Sequence, residues 1–154
     1  MTIAPILAID PASKSGWALF DGTFHRHGSF VVTGERPARF LAFECAVADL
    51  IADIRPRLIV FESQDNLRGA HVRRLLGGFA AIIELVAERT GTASLSYTPS
   101  AIKKAVAGKG TADKQAVIAA VKARGFYPRD DNEADALALL FCAQADIANG
   151  SIKL

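Results

Sequence analysis

The sequence is short of several things, and each shortage narrows what the chain can be. Its longest charge-free apolar stretches, Leu75–Ile83 and Ala136–Ala145, fall well below the ~20 residues that a membrane-spanning helix needs. No membrane partner is therefore expected. No basic segment precedes the first apolar run, which meets Asp10 within a few residues, so the start does not read as a secretory leader. The 2 cysteines, Cys45 and Cys142, lie far apart inside apolar helical patterns. They are expected to be buried thiols of a reduced, cytoplasmic protein and not a disulfide or a metal pair. With 12 glycines and 6 prolines the chain is neither collagen-like nor a linker. What is present is 154 residues, 51% hydrophobic and 22% charged, which is enough for one domain with a packed core. A single domain spanning residues 1–154 is expected, without internal repeats.

The net charge is only +2, yet it is unevenly spread. Between Ser96 and Arg124 six basic residues, Lys103, Lys104, Lys109, Lys114, Lys122 and Arg124, face Asp113 alone. From Asp130 onward five acidic residues face Lys153 alone. Such a pattern fits two solvated helix faces. It equally fits a polyanion track that ends at a cluster of carboxylates.

Hydrophobic periodicity organises the chain. Ile6–Ile9 is a short, β-branched-rich run closed by Asp10-Pro11 and reads as a buried strand. Trp17–Phe20, the Asp21-Gly22 turn and a strand carrying Phe30, Val31 and Val32 complete an antiparallel meander, with Asp-Gly as the hairpin signal. Phe40, Phe43, Val47, Leu50, Ile51 and Ile54 form a helical stripe that Pro56 closes. Leu58–Phe61 is a fully buried strand, and a second amphipathic helix carries Val72 to Val86 and stops at Gly91. Ser94–Tyr97 makes a fifth strand. Thr98 or Ser100 caps a short helix through Ala107, Thr111 caps another to Arg124, and a last helix runs from about Asn132 to Ala148. The order βββαβαβ and then helices implies an α/β fold, with a mixed five-stranded sheet of an antiparallel meander plus two parallel strands, flanked by helices. Right-handed crossovers restrict the topology, and ligands of such sheets bind beyond the carboxyl ends of the parallel strands.

Two acids stand at that edge. Asp10 ends the first strand and Glu62 ends the Leu58–Phe61 strand. If these strands are parallel neighbours, the carboxylates emerge together, repel each other and raise a pKa unless a cation lies between them. A hard divalent ion resolves the conflict; the bland alternative is a pair of turn acids facing water. The last helix opens with Asp130-Asp131-Asn132-Glu133-Ala134-Asp135. Most of its acids suit the positive end of the helix dipole. Asp135 suits it less, because Ala134, Ala136 and Leu137 surround it on an apolar helix, and a metal would supply the partner it needs. Asp131 and Asn132, four and three residues earlier, share a face with it.

Four blocks now stand in order: Ile6–Pro11 with Gly16, Val60–Gln64, Lys103 through Gly108-Lys109-Gly110-Thr111-Ala112-Asp113-Lys114, and Glu133–Ala138. Together, from residue 6 to about 145, they resemble the signature blocks of RuvC-type Holliday-junction resolvases. The resemblance implies an RNase H-like fold, a homodimer, and symmetric paired nicking of four-way and branched DNA with Mg²⁺ or Mn²⁺, two ions per active site. It implies metal coordination by Asp10, Glu62 and Asp135, and phosphate contacts from Lys103 and Lys114. Arg68, Lys104 and Lys109 are further basic candidates for DNA binding. No small-molecule substrate is implied.

Two departures from that pattern matter. The family usually carries a second acid three residues before the one matching Asp135, where this chain has Asn132. An asparagine carbonyl still binds a hard cation, and Asp131 is the other candidate for a fourth ligand. Bacterial members place an aromatic wedge after the strand-end glutamate; here the stretch reads Asp65-Asn66-Leu67, leaving Leu67 as the apolar candidate. Asn132 keeps open a branched-DNA-binding protein with impaired catalysis. Half of an actin-like ATPase is a third reading, although such enzymes need two domains to close on a nucleotide.

Other signals are weaker. Gly108-Lys109-Gly110-Thr111 breaks the phosphate-loop pattern. His25 and His27 share a strand face without an evident third zinc ligand. His71 sits among basic residues, and Ser63 lacks a histidine–acid pair that would make it a nucleophile. The homodimer is expected through the second long helix, since Leu75–Ile83 is apolar nearly all round. Gly69, Gly77, Gly78, Ala80 and Ala81 would admit a second backbone there; simple coverage of the sheet is the competing explanation.

Overall fold

In the computed structural model, which describes residues 4–64 and 67–153, the alternation of side chains along two central strands sets the layers. β1 (Ile6–Asp10) and β4 (Leu58–Glu62) are parallel neighbours, with Ile9 opposite Phe61. Every residue of both before the terminal acid is buried. Successive side chains point to opposite faces. Ile6, Ala8, Leu58 and Val60 therefore enter one core, and Leu7, Ile9, Ile59 and Phe61 enter the other. β2 (Lys14–Phe20) and β3 (His25–Val31) continue antiparallel on one side, and β5 (Ala93–Tyr97) runs parallel to β4 on the other, giving the order β3-β2-β1-β4-β5. This is the mixed sheet expected from the sequence.

Helices α1 (Arg36–Ile54) and α2 (Ala70–Thr90) cover the second core. Helices α3 (Pro99–Ala107), α4 (Lys114–Ala123) and α5 (Asp131–Ala148) cover the first. α5 is the most enclosed: Ala134 and Ala136 through Ala143 are buried without a break. That helix is apolar nearly all round because the sheet lies on one side and α3 and α4 lie on the other. None of the helices among the described residues is long and apolar enough to cross a membrane.

Several local expectations are corrected. The third strand begins at His25 and ends at Val31, so Val32 lies beyond it, donating its N–H to the Ser13 carbonyl at 2.8 Å. The Asp21-Gly22 turn is not a two-residue hairpin with both residues at positive φ. Only Gly22 is there (φ 106°), while Asp21 Oδ1 accepts from the N–H groups of Thr23 and Phe24, each at 2.8 Å. An Asp side chain thus closes a longer loop. Thr98 caps α3 as expected, by accepting from the Ala101 N–H. Asp113 and not Thr111 caps α4, accepting from the Ala116 N–H at 2.8 Å. Cys142 is buried, but Cys45 is exposed on α1.

Candidate active site

Parallel register carries the first two acids to one place. Asp10 and Glu62 follow the Ile9–Phe61 pair at the carboxyl ends of β1 and β4, where their carboxyl groups line one recess and act directly on each other. Burial, and then the charges of Glu62 and Asp135, push Asp10 well above the ordinary carboxylate range. Burial also raises Glu62, against its direct interaction with Asp10. Two buried carboxyl groups so close to each other cannot both ionise cheaply.

Asp135 comes from the second turn of α5 and lines the same recess of about 220 Å³. Burial raises its pKa, opposed by the nearby Lys114 charge. Lys103 of α3 and Lys114 at the start of α4 line that recess too. The Thr98 and Asp113 caps fix where those two helices begin, and so where the lysines emerge. Lys114 Nζ lies 2.9 Å from Asp131 Oδ2. This contact comes first among the causes that raise the lysine pKa, so its cation persists.

The other expected residues stand apart. Asp131 is exposed and engaged by Lys114, and neither it nor Asn132 lines the recess. Lys104, Lys109 and Arg68 are exposed outside it. Leu67 lines a second recess of about 250 Å³ on the far side of Asp10 and Glu62, with Leu76 and Pro99; Asp65 and Asn66 lie outside the described residues. The Ser63 hydroxyl is enclosed and meets no hydrogen-bond partner among the described residues. Arg124 stacks over the Phe141 ring at 4.8 Å instead of extending the basic track.

The donor chemistry of the recess suits a hard divalent cation: three carboxyl groups whose ionisation burial and mutual repulsion disfavour, with only Lys103 and Lys114 to offset them. No three His, Cys, Asp or Glu side chains among the described residues are gathered closely enough to hold one ion. Asp10 and Glu62 stand beside each other, and the Asp135 charge raises both.

Sequence reasoning missed what fixes the start of α5. Glu133 is not a solvated acid of the first turn but is 1% exposed. Its Oε2 accepts from His27 Nδ1 at 2.6 Å and from the Arg129 N–H at 3.0 Å. Lys14 Nζ lies 2.6 Å from Asp130 Oδ2. A Cβ on Gly16 would lie 1.8 Å from the Asn132 carbonyl oxygen, so only glycine allows this approach of helix to strand. His25 turns toward the same helix, within 3.2 Å of the Gln144 amide nitrogen. The legible signal was Asp130-x-x-Glu133, a capping-box spacing: the Glu133 N–H does donate to Asp130 Oδ1.

Comparison with known proteins agrees with this geometry. Residues 6–143 match the family model described as crossover junction endodeoxyribonuclease RuvC. The RuvC crossover junction endodeoxyribonuclease of Moorella thermoacetica is 31% identical over 148 residues, which cover 89% of each chain. Among solved structures, Thermus thermophilus RuvC in complex with Holliday junction substrate shares the fold with a TM-score of 0.84 at 24% identity, over 96% of this chain and 97% of that one. The fowlpox virus Holliday junction resolvase shares it more distantly, with a TM-score of 0.62 at 12% identity, over 93% and 99%.

Proposed function

This chain belongs to the RuvC family of crossover junction endodeoxyribonucleases, and from that membership we propose that it resolves four-way DNA junctions by paired nicks, with Asp10, Glu62 and Asp135 as its catalytic carboxylates. The observation that carries the reading is the recess itself: two strand-end acids side by side, a third acid from α5, and Lys103 and Lys114 next to them. One domain supplies all five groups.

The three acids would hold Mg²⁺, or Mn²⁺ in its place, two ions per site. When bound, the ions supply a water activated as nucleophile and a counter-charge for the phosphate and the leaving 3′-oxygen. Asp10 and Glu62, as ionised carboxylates, would hold the cations at the ends of β1 and β4. Asp135 closes the site from α5. Neither candidate for a fourth ligand lines the recess; of the two we favour Asn132, since Asp131 is already engaged by Lys114. Lys103 and Lys114 present positive charge to the scissile phosphate and its neighbours, which positions the backbone without reading bases. Water would attack phosphorus and release its proton to solvent as the bond to the 3′-oxygen breaks and that oxygen takes up a proton, and no protein side chain would form a covalent bond. Lys104, Lys109 and Arg68 would extend the phosphate contacts outward.

Two equivalent nicks on one junction require two sites related by a dyad, so we assign a homodimer. The outward side of α2 is the surface for it, with Val72 43% and Leu85 53% exposed and open space at Gly77. Gly78 does not belong to that surface: a Cβ there would overlap the Phe40 ring of α1 within the same chain.

The test is cleavage of an end-labelled four-way junction beside a linear duplex of the same sequence, with Mg²⁺ or with EDTA. Symmetric cuts in the junction alone, and only with Mg²⁺, are expected. Tight junction binding without cuts would favour a branched-DNA-binding protein in which Asn132 has weakened catalysis, and equal cutting of duplex would refute junction selectivity.

A further inference from the structure

The proposal concerns the side of α5 turned away from the acids, and it rests on the functional reading above. Glu133 lies between Asn132 and Asp135, two residues before the latter. At ~100° per residue the two side chains leave the helix about 200° apart, so Asp135 enters the recess while Glu133 points back to the β2–β3 pair. There its carboxyl group is buried against His27, which stands opposite Ala18 in the sheet register. On β2, Lys14 and Gly16 belong to the same alternating set as Ala18. They meet Asp130 and Asn132 respectively.

A buried acid held by a half-buried imidazole is a poor way to gain stability. Enclosing such polar groups costs free energy that an alanine–leucine contact of similar volume would avoid. What the pair does supply is direction. Apolar packing lets a helix rotate by several degrees at little cost, whereas a 2.6 Å hydrogen bond with a second donor on the same oxygen does not. We infer that the His27–Glu133 hydrogen bond is a positioning device that fixes the rotation of the first turns of α5 and thereby aims Asp135 at the metal-binding recess. Lys14 and Gly16 hold the helix end at the correct height, and His27 sets its angle.

The test reads metal affinity of the DNA-free protein, using Mn²⁺ alone as the probe, by calorimetry or spin-label-free EPR. The variants are His27→Ala, His27→Asn, the His27→Ala/Glu133→Ala double variant and Asp135→Asn. The double variant removes both partners, so it leaves no orphaned buried acid even if His27→Ala does not fold. It should bind Mn²⁺ roughly 10-fold more weakly, the lower range for groups that orient metal ligands, while metal-free junction binding stays within two-fold. His27→Asn places an amide donor where Nδ1 was and should restore affinity to within about three-fold. Wild-type Mn²⁺ affinity in the folded double variant, with Asp135→Asn deficient, would overturn the positioning role alone. Unchanged Mn²⁺ binding in Asp135→Asn would overturn the assignment of the site and the positioning role with it. Failure of His27→Asn to recover affinity while the double variant is weak would also overturn it, because the effect would then be packing and not the hydrogen bond.

Discussion

Beneath α1 and α2 the sheet is covered by aromatic rings. Phe43 stacks on Phe79 with centroids 4.3 Å apart, and Phe30 and Phe40 close round the pair. On the opposite face lies α5, whose buried run alternates alanine with leucine from Ala136 to Leu139, before Phe141, and whose first turns carry Glu133 and Asp135. Small side chains on that face bring helix and sheet close enough for Asn132 to rest on Gly16. The layer of large rings supplies cohesion, and the layer of small residues supplies proximity. Chemistry that needs groups from two strands and three helices in one recess is possible only on the second.

Breaking the aromatic layer should cost most. Phe43→Ala leaves a cavity beneath α1, which destabilises by about 3–5 kcal/mol, and thermal denaturation should show Tm falling on the order of 10 °C. Cleavage per folded molecule, measured well below that Tm, should stay near the wild-type rate. A folded but inactive variant would mean that the two layers are not separable.

Gly16→Ala tests the other layer. Its Cβ must drive the start of α5 away from β2, at about 1–3 kcal/mol of overpacking. Since ~1 Å of displacement costs about 10²-fold in rate, activity should fall far more than stability does. Equal loss in both would argue against proximity as the purpose of that face.

A third change should stabilise the protein. Asp10 has a folded pKa raised by burial and by Glu62 and Asp135, against an unfolded value of about 3.9. Between those values the native state holds more protons than the unfolded chain, so stability falls as pH rises through the window. The penalty is absent below the unfolded pKa and complete above the folded one. Asp10→Asn removes it, and without metal Tm should exceed wild type by an amount that grows as pH rises above about 4, roughly 2–4 °C for each kcal/mol relieved. A lower Tm at neutral pH would show that the acid pair is not in conflict.

The smallest effects belong to the exposed lysines. Lys104→Ala and Lys109→Ala should weaken junction binding a few-fold and lower the salt slope by at most about one. Lys103→Ala, inside the recess, should also reduce the cleavage rate. Filter binding across salt concentrations separates the two.

What could be read in the sequence followed from local rules. Asp10 and Glu62 were legible because an apolar run that ends in an acid fixes both the strand and its exit, and Asp135 because an acid amid alanines and leucines needs a reason. Asp113 was passed over for Thr111, since both precede the same helix and only the Lys109–Ala112 turn decides where it begins. The His27–Glu133 hydrogen bond was out of reach. His27 on an edge strand and Glu133 in a first helical turn each have an adequate local explanation, and only the landing of α5 across β2 and β3 joins them. Cys45 was misplaced for a related reason: helical periodicity gives a stripe but not its width.

The central claim is that three carboxylates from β1, β4 and α5 perform the hydrolysis. Single-turnover cleavage of a labelled four-way junction in Mg²⁺, run beside junction binding in EDTA, tests it with Asp10→Asn, Glu62→Gln and Asp135→Asn. Each variant should lose roughly three orders of magnitude or more in cleavage rate, about 4 kcal/mol of transition-state stabilisation. Binding, which comes mainly from phosphate contacts, should survive. Near-wild-type turnover by any one of the three would contradict the account.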